Sequence, residues 1–324
     1  MTTTVRVQSL AAGGEGLGRV DGDGAAVFIY GGLPGDLWRG ALKPLGRQAF
    51  RLVDAQRIED GQGRVPAQCV SRPRCGGCDW HEFDPSLIWP AKAQIVSDCL
   101  ERIAGFRLDK PPEQLGGVNG YIGRHRVGLK VTKQGLAYVV HGSHETVKLG
   151  HCSALAPRLE AVMLNVSEQL SSLPPGLVSV QASLSADGRR CAARLSVIDD
   201  LTGAAIKHLC QMVVRHTALD GAWLVHQQQI VEAGETRLSG LIATGFSKRY
   251  RLRGGGFHQA NPGINESLVG TVVDEIAPKR RQRIVDMHGG AGNFGLVLAG
   301  KGADVTISEI DPWACQDLKS NASA

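Results

Sequence analysis

Hydrophobic and polar positions alternate over short runs in the first sixty residues of the chain. The segments TVRVQSL, AAVFIY, LWRGALKPL and AFRLVDAQRI, all within residues 3–58, read as strands. The glycine-rich stretches GGEGLGRVDGDG and GGLPGD between them are typical of turns. Several short strands at this spacing predict a small β-barrel or a β-sandwich.

Helical and strand patterns mix in the middle of the chain. Residues 86–104 predict a helix whose start is left open by Pro90, and its apolar positions are Leu87, Ile88, Ile95, Cys99 and Ile103. Residues 121–150 read as strands, and helices at 155–170 and 201–217 flank a strand in RRCAARLSVID. This mixture predicts an α+β domain.

The last seventy residues change to a pattern of buried strands and one long helix. Asn261 and Pro262 suit the start of a helix in ANPGINESLVGTVVDEI, whose predicted apolar face is Ile264, Leu268, Val272 and Ile276. RIVDM and DVTISEI read as apolar strands, and the glycine-rich HGGAGNFGLVLAGKG lies between them. A strand, loop, helix and strand in this order predict the opening of a doubly wound parallel sheet.

Composition excludes several classes of protein without selecting a function. The chain has 324 residues, of which 43% are hydrophobic and 21% charged, an ordinary globular composition with room for two or three domains. It has no apolar run of membrane-spanning length and no secretory signal, so we expect a cytoplasmic protein whose thiols stay reduced. The net charge of +5 is compatible with a polyanionic partner but equally with an ordinary enzyme.

The glycine-rich loop is the first candidate for chemistry. GAGNFG fits the G-x-G-x-x-G pattern at Gly290, Gly292 and Gly295, and Glu309 ends the next strand, where a carboxylate can bind ribose hydroxyls. The pattern alone does not separate a dinucleotide site from an S-adenosylmethionine site, or from a turn that serves packing. Asp286, at the end of the first strand, favours a cationic methyl donor, as does the place of the unit near the C-terminus.

Three cysteines within ten positions are the second candidate. Cys69, Cys75 and Cys78 have the spacing C-x5-C-x2-C, and Cys152 follows a predicted strand in a loop from which it could join them. Four thiolates can hold zinc or an iron–sulfur cluster. Zinc ribbons prefer two C-x2-C pairs, so the unequal spacing favours a cluster. The remaining cysteines fall in predicted helices or strands, where packing is the simpler role; they are Cys99, Cys191, Cys210 and Cys315.

Several segments, in this order, resemble one family, the iron–sulfur, TRAM-domain RNA (uracil-5-)-methyltransferases. VQSLAAGGEGLGRVDG with GGLPGD resembles a TRAM domain, CVSRPRCGGCDWHEFD the family's cluster segment, and GSHETVKLGHC the segment that leads to its fourth ligand. FHQAN at 257–261 resembles the F-x-Q-x-N motif, and DMHGGAGNFG the donor loop.

The resemblance implies a multidomain architecture. An OB-like, RNA-binding TRAM barrel would occupy residues 1–60, and a central α+β domain with the iron–sulfur segment would occupy residues 61–254. Residues 255–324 would begin a Rossmann-like α/β methyltransferase domain that binds S-adenosylmethionine and is incomplete. The protein would act as a monomer on RNA.

The resemblance also implies the site residues. Cys69, Cys75, Cys78 and Cys152 would ligate a [4Fe–4S] cluster, and Arg124 and Arg126 would lie near the RNA. S-adenosylmethionine would contact the glycine loop and its partners, namely Gln259, His288, Gly290, Gly292, Asn293 and Glu309. His288 departs from the aromatic residue usual at its position.

The reaction of this family methylates C5 of uracil, a poor nucleophile. A cysteine thiolate adds to C6, C5 then attacks the methyl group, and a base removes the C5 proton. Neither the S-C-N-P-like nor the D-P-P-R-like segment of the family occurs in the chain. We therefore expect a C-terminally truncated member whose nucleophile and base would lie beyond residue 324, and whose two-stranded sheet leaves apolar faces exposed.

Four functions stay open from the sequence. Methylation of 23S rRNA uridine is the leading interpretation, and methylation of transfer RNA is an alternative. A non-catalytic RNA-binding remnant with a cluster is another, since the barrel and cysteine segment are present. A nicotinamide-dependent oxidoreductase is disfavoured by FHQAN and by the lack of a second mononucleotide-binding half.

Overall fold

The computed structural model describes residues 2–20, 24–67, 69, 71, 74–115, 123–240 and 250–323. The chain divides into two compact units, Met1–Gly120 and Tyr121–Ala324. The domain boundaries expected at 60/61 and 254/255 are therefore not where the compact units divide. The physical reason is that hydrogen bonds cross both expected boundaries. Gly61 N donates to Asp36 across 60/61 in the first unit, and Gly255 N donates to Ser183 across 254/255 in the second.

An N-terminal sheet forms the first unit together with one helix. Its strands are β1 (Thr2–Arg6), β2 (Ser9–Leu10), β3 (Gly16–Arg19), β4 (Ala26–Ile29), β5 (Leu37–Pro44) and β6 (Ala49–Glu59), and their order in the sheet is β1-β5-β6-β4-β3-β2. Alternate residues on these strands meet in a core that contains Val5, Val27, Ile29 and Leu52. The alternation of hydrophobic and polar residues in the sequence therefore arises because each strand buries one face, as predicted.

The first strand closes this sheet on itself. β1 pairs with β5 and β2 pairs with β3, at opposite ends of the strand order. β1 and β2 are consecutive, and the two residues between them keep the pairing, because Val7 N donates to Asp36 O and Gln8 N to Leu17 O. A single bent strand therefore joins both edges, which leaves few backbone groups unpaired.

The segment after β6 stays attached to this sheet. Asp36 is fully buried and accepts hydrogen bonds from Gly61 N at 2.7 Å and from the guanidinium of Arg64. Trp80 Nε1 donates to Gly14 O at 2.8 Å. The segment that contains Gly61, Arg64 and Trp80 therefore packs with the N-terminal sheet rather than beginning a new unit.

The helix α1 (Pro85–Ala104) begins one residue earlier than expected and contains Pro90. Asp84 caps it by accepting a hydrogen bond from Ser86 N at 2.9 Å, and Gly105 ends it in the left-handed region at φ 63°. Pro90 is tolerated because it lies near the N-terminus, where only one intrahelical hydrogen bond is lost.

A mixed sheet with two helices forms the centre of the second unit. The sheet order is β13-β12-β11-β10-β7-β8-β9, with β11 and β12 parallel. Buried side chains of both helices and of the strands share one core, as the α+β pattern predicts. The elements are β7 (Arg126–Thr132), β8 (Gly135–Val139), β9 (Thr146–Lys148), α2 (Pro157–Gln169), a 3₁₀ turn (Leu170–Ser172), β10 (Leu177–Leu184), β11 (Cys191–Val197), α3 (Gly203–His216), β12 (Gly221–His226) and β13 (Gln229–Gly234).

The C-terminal part contains the predicted strand, loop, helix and strand. Its elements are β14 (Arg237–Ser239), β15 (Arg251–Arg253), α4 (Pro262–Ile276), β16 (Arg283–Met287), α5 (Gly295–Gly300), β17 (Asp304–Ser308) and α6 (Pro312–Ala322). β16 and β17 pair in parallel. Val285 and Met287 are 66% and 69% exposed, so one face of this pair carries uncovered apolar side chains.

The helix α4 begins where the sequence predicts but buries a different face. Asn261 caps it by accepting a hydrogen bond from Ile264 N at 3.1 Å. The fully buried side chains are Asn265 and Val269, one position along from the predicted Ile264 and Leu268. The prediction was wrong because a buried asparagine does not register in a hydrophobic pattern.

Two polar contacts join α6 to β15. Asp317 accepts hydrogen bonds from Arg253 N at 2.8 Å and from Arg253 Nη1 at 3.2 Å, and both side chains are buried. Asn321 accepts from Arg251 N at 2.9 Å and donates to Arg251 O at 2.8 Å. These bonds lie within the second compact unit, which also contains the central sheet.

Among the helices that the structure describes, none combines the length and the apolar character that crossing a membrane requires.

We predict that Asp317→Ala lowers the free energy of unfolding by about 3 kcal/mol, because it removes the buried carboxylate that accepts hydrogen bonds from Arg253 and leaves only the more distant, partly exposed Glu232 near the guanidinium. Urea denaturation followed by tryptophan fluorescence measures the change. Glu235→Gln is the matched control, since its pair with Arg190 is exposed and is worth about 1 kcal/mol or less. Equal effects of the two variants would contradict a buried ion pair.

Candidate functional site

The glycine loop between β16 and α5 is held by backbone hydrogen bonds to acidic side chains. Gly295 N donates to Asp286 Oδ2 at 2.8 Å, so the last acidic residue of β16 fixes the start of α5. A Cβ added at Gly289 or Gly295 would lie 2.4 Å or 2.5 Å from the Ile307 side chain. These two glycines therefore serve close packing against β17.

Gly290 has a different environment. Its φ is +57°, and no atom lies within 4 Å of the position that a Cβ would take. The backbone there borders open space rather than protein. Glycine at this position lets a ligand approach the main chain. Gly292 has φ +101° and packs against Leu296, so its role is conformational.

Glu309 reaches back to this loop from the end of β17. Its Oε2 accepts from Gly290 N at 2.9 Å, and its Oε1 accepts from Ile310 N at 2.7 Å and Asp311 N at 2.8 Å. The hydrogen bond from Asp311 N, with those from Gly290 N and Ile310 N, lowers the pKa of Glu309. The carboxylate is therefore ionised at neutral pH, and it lies beside the glycine loop, as the sequence pattern predicts.

Asn293 forms a reciprocal amide pair with Asn265 of α4. Each Nδ2 donates to the other Oδ1, and both distances are 2.9 Å. Asn265 is buried and was not among the residues that the sequence singled out. The sequence gives only a weak indication of Asn265, namely a second asparagine one helical turn after the capping residue Asn261. The pair fixes the loop against α4.

A cavity, here named the loop cavity, lies between this loop and the segment that precedes α4. Its walls come from the end of β10, from β14, from residues 250–265 and from the loop; they are Leu184, Ala186, Ser239, Gly240, Tyr250, Leu252, Phe257, His258, Gln259, Pro262, Asn265, His288, Gly289, Gly290, Ala291, Asn293 and Phe294. The structure thus brings together four predicted site residues, Gln259, His288, Gly290 and Asn293. Gly292 and Glu309 are not in the wall, although Glu309 bonds to Gly290.

His288 adopts a backbone conformation that is uncommon for a residue with a side chain. Its φ is +61°, in the left-handed region. Histidine is among the few side chains that are enriched there, at a small energetic cost. A strained residue at the end of a strand and at the edge of a cavity is a frequent feature of ligand sites.

A cationic group adjoins the loop cavity. The Arg126 guanidinium lies over the Phe257 ring, 5.0 Å from its centre, and Phe257 is 74% exposed. Arg126 also lines a neighbouring cavity, here named the arginine cavity, with Arg124, Val127, Gly128, Gln181 and Ala260. Burial lowers the pKa of Arg126, and no carboxylate pairs with it among the described residues. A desolvated guanidinium that no described carboxylate neutralises suits a phosphate or carbonyl oxygen.

The predicted cysteine ligands occupy both units. Cys69, Cys75 and Cys78 lie in the first unit, where Cys75 is buried and its Sγ accepts from Gly77 N at 3.4 Å. Cys152, in the second unit, follows β9 as expected, and its Sγ accepts from the Tyr138 hydroxyl at 3.3 Å. Thiolates are the usual donors to an iron–sulfur cluster. Across the described residues, no group of three or more His, Cys, Asp or Glu side chains is placed to hold a metal ion, so the ligand set stays a prediction.

Two of the other cysteines, Cys191 and Cys210, are buried in the core of the second unit. Burial raises the pKa of Cys191 to about 12 and that of Cys210 to about 11, so both thiols stay protonated in the core. Cys315 lies on α6, and its Sγ donates to Glu309 O at 3.4 Å. Their predicted role in packing fits this environment.

Known sequences that are similar to this chain are those of RNA methyltransferases. A scan against protein-family models finds no match. The chain is 28% identical over 334 residues to a 23S rRNA (uracil(1939)-C(5))-methyltransferase, RlmD, of Halomonas elongata, which covers 98% of this chain and 68% of that protein. It is 29% identical over 320 residues to RlmD of Dechloromonas aromatica, covering 93% and 71%. An uncharacterized RNA methyltransferase of Thermosynechococcus vestitus is 26% identical, covering 99% and 75%.

A solved structure shows the same fold. The tRNA (uracil-54, C5)-methyltransferase of Pyrococcus abyssi, in complex with S-adenosyl-L-homocysteine, matches with a TM-score of 0.67 and 14% identity. The match covers 98% of this chain and 76% of that one. At this identity the match establishes the fold. The sequence matches establish that RNA uracil-C5 methyltransferases are relatives of this chain over most of its length.

We predict that Asn265→Ala and Asn293→Ala each lower the free energy of unfolding by about 1–3 kcal/mol, because each removes both hydrogen bonds of the reciprocal amide pair. The double variant costs less than the sum of the two, since those two hydrogen bonds are already lost in either single variant. Urea denaturation of the four proteins measures the cycle. Strict additivity would show that the two amides are not coupled.

Proposed function

We propose that this chain binds S-adenosylmethionine and RNA for methylation of C5 of a uridine. The observation that carries the proposal is the loop cavity, in which the glycine loop faces the FHQAN segment some thirty residues before it in the chain. The relatives support the reaction class, because they are RNA uracil-C5 methyltransferases.

The donor site is assigned to the glycine loop and its partners. Gln259, His288, Gly290 and Asn293 face the ligand, and Gly292 gives the loop its turn. A carboxylate has about four acceptor positions, and three backbone N–H groups already occupy Glu309, so about one remains for a ribose hydroxyl. When bound, S-adenosylmethionine supplies an electrophilic methyl group.

The residues of the loop cavity bind and orient rather than attack. No cysteine, aspartate or glutamate occurs in its wall as far as the structure describes it. The thiolate and base that uracil methylation requires are therefore not assigned to any residue of this wall. This observation also favours a second candidate, an RNA-binding protein that retains the donor site without catalysis. Transfer of labelled methyl groups to unmodified RNA separates the two.

The substrate is assigned to 23S rRNA. The relatives named RlmD act on 23S rRNA, whereas the structural match acts on tRNA at a lower identity. Arg124 and Arg126 supply positive charge beside the loop cavity, and the closed N-terminal sheet is assigned as the RNA-binding TRAM barrel. Tighter retention of 23S rRNA transcripts than of tRNA transcripts decides between the substrates.

An iron–sulfur cluster is part of the same proposal. The C-x5-C-x2-C spacing and the resemblance to the family support Cys69, Cys75, Cys78 and Cys152 as its ligands. Its role is assigned as structural, and no step of the reaction is routed through it.

We predict that the chain binds S-adenosylhomocysteine and not NAD, and that Glu309→Gln weakens this binding about 10-fold. The amide loses the charge and one acceptor oxygen that hold the loop and the ribose, a loss of roughly 1.4 kcal/mol. Isothermal titration calorimetry measures both ligands. Glu275→Gln, on the exposed end of α4, is the control. Preferential binding of NAD would refute the methyl-donor assignment.

We also predict that protein purified without oxygen carries about four iron atoms per chain, with absorbance near 400 nm. Cys75→Ser and Cys152→Ser lose the iron because each removes one thiolate ligand. Cys99→Ser, on α1, retains it. Iron and acid-labile sulfide analysis measures the content. Zinc in place of iron, or iron retained by both variants, would contradict the cluster.

A further inference from the structure

His258 occupies the wall of the loop cavity next to Gln259, and its protonation pattern is fixed by a neighbour. Its Nδ1 lies 3.0 Å from Gln259 O. A carbonyl oxygen only accepts hydrogen bonds, so Nδ1 carries the proton of the neutral ring. Nε2 therefore presents a lone pair.

This lone pair is unsatisfied. Nε2 of His258 is buried and has no hydrogen-bond partner among the residues that the structure describes. Burial, aided by the nearby charges of Arg126 and His125, lowers the pKa of His258 to about 4 against the opposing effect of the Gln259 carbonyl. The ring is thus neutral at physiological pH, and Nε2 is an acceptor. A buried acceptor without a donor costs about 1–3 kcal/mol, a cost that a ligand can offset.

The surroundings of His258 indicate which of the two proposed ligands, the methyl donor or the RNA, it would contact. The acidic partner of the loop, Glu309, lies on the side of β17, where the donor is assigned. His258 instead follows Phe257, which stacks under Arg126, and His125 N donates to Ala260 O at 2.7 Å. His258 therefore belongs to the side of the cavity that adjoins the unpaired guanidinium.

An acceptor in the wall of the loop cavity, with a guanidinium donor next to that wall, matches the edge of uracil. Uracil presents a donor, N3–H, between two carbonyl acceptors, whereas cytosine presents an acceptor at N3. We propose that His258 Nε2 accepts the N3–H hydrogen bond of the target uracil and so selects uracil over cytosine. The proposal rests on the proposed function, and it makes His258 a specificity-determining residue.

Two variants test this proposal by distinguishing the role of the acceptor atom from that of the aromatic ring. His258→Gln places an amide oxygen near the position of Nε2, whereas His258→Phe keeps an aromatic ring without the acceptor. The probes are uridine 5′-monophosphate and cytidine 5′-monophosphate, titrated in the presence of S-adenosylhomocysteine into chain labelled with ¹⁵N-histidine. The His258 signal is identified by its absence in both variants, and the other histidine signals report binding to them.

We expect the wild-type chain and His258→Gln to bind the uridine nucleotide about 10-fold more tightly than the cytidine nucleotide, because an N3–H bond to a buried acceptor is worth roughly 1.4 kcal/mol. In His258→Phe the preference disappears, and affinity for S-adenosylhomocysteine stays within about two-fold in both variants. The Nε2 resonance moves on addition of the uridine nucleotide alone.

Two outcomes overturn the inference. The first is a wild-type chain that does not prefer uridine, and the second is a His258→Phe variant that keeps the preference. If that variant keeps the preference and also loses S-adenosylhomocysteine binding, His258 is assigned to the donor instead. Absence of S-adenosylhomocysteine binding in the wild-type chain refutes the proposed function itself and is measured separately.

Discussion

The attachment of α6 to β15 is the constraint on which the candidate site depends. Asn321 Nδ2 donates both to Arg251 O and to Ala291 O, so one side chain fixes the glycine loop to the strand that precedes FHQAN. Asp317 supports the same joint through Arg253. Together with the pair of Asn265 and Asn293, these bonds fix the spacing between the loop and the FHQAN segment, and so the loop cavity between them.

The central sheet holds the segment that follows β15. Trp223 Nε1 donates to Gly254 O at 2.6 Å, and the guanidiniums of Arg194 and Arg253 lie 5.3 Å and 5.6 Å from its ring centre. A Cβ at Gly254 would lie 2.5 Å from Ala192 O. The chain therefore crosses the sheet at a distance that only glycine allows, and it enters the cavity wall from a rigid support. Rigid support is what a site that must orient two ligands requires.

The polar groups of the site divide by chemistry. Glu309 and the loop amides form an anionic and backbone-rich side, whereas the opposite side contains the Arg126 guanidinium and two histidines, His125 and His258, whose pKa values burial lowers. The reciprocal pair of Asn265 and Asn293 uses its own hydrogen bonds to hold the loop between the two. The described wall between the two sides carries no thiol or carboxylate.

The sequence by itself determined the features that depend on neighbouring residues. Alternation predicted the N-terminal strands, Asn261 with Pro262 predicted the start of α4, and glycine spacing predicted the loop between β16 and α5. These signals repeat within a few positions, because strand pleating, helix capping and left-handed turns are local. Only the tertiary structure decided which face of α4 is buried, where the compact units divide, and that His258 keeps an unsatisfied nitrogen. Those features depend on partners 28 residues apart for Asn265 and Asn293, and 64 residues apart for Arg253 and Asp317, and no periodic pattern of single residues encodes such pairs.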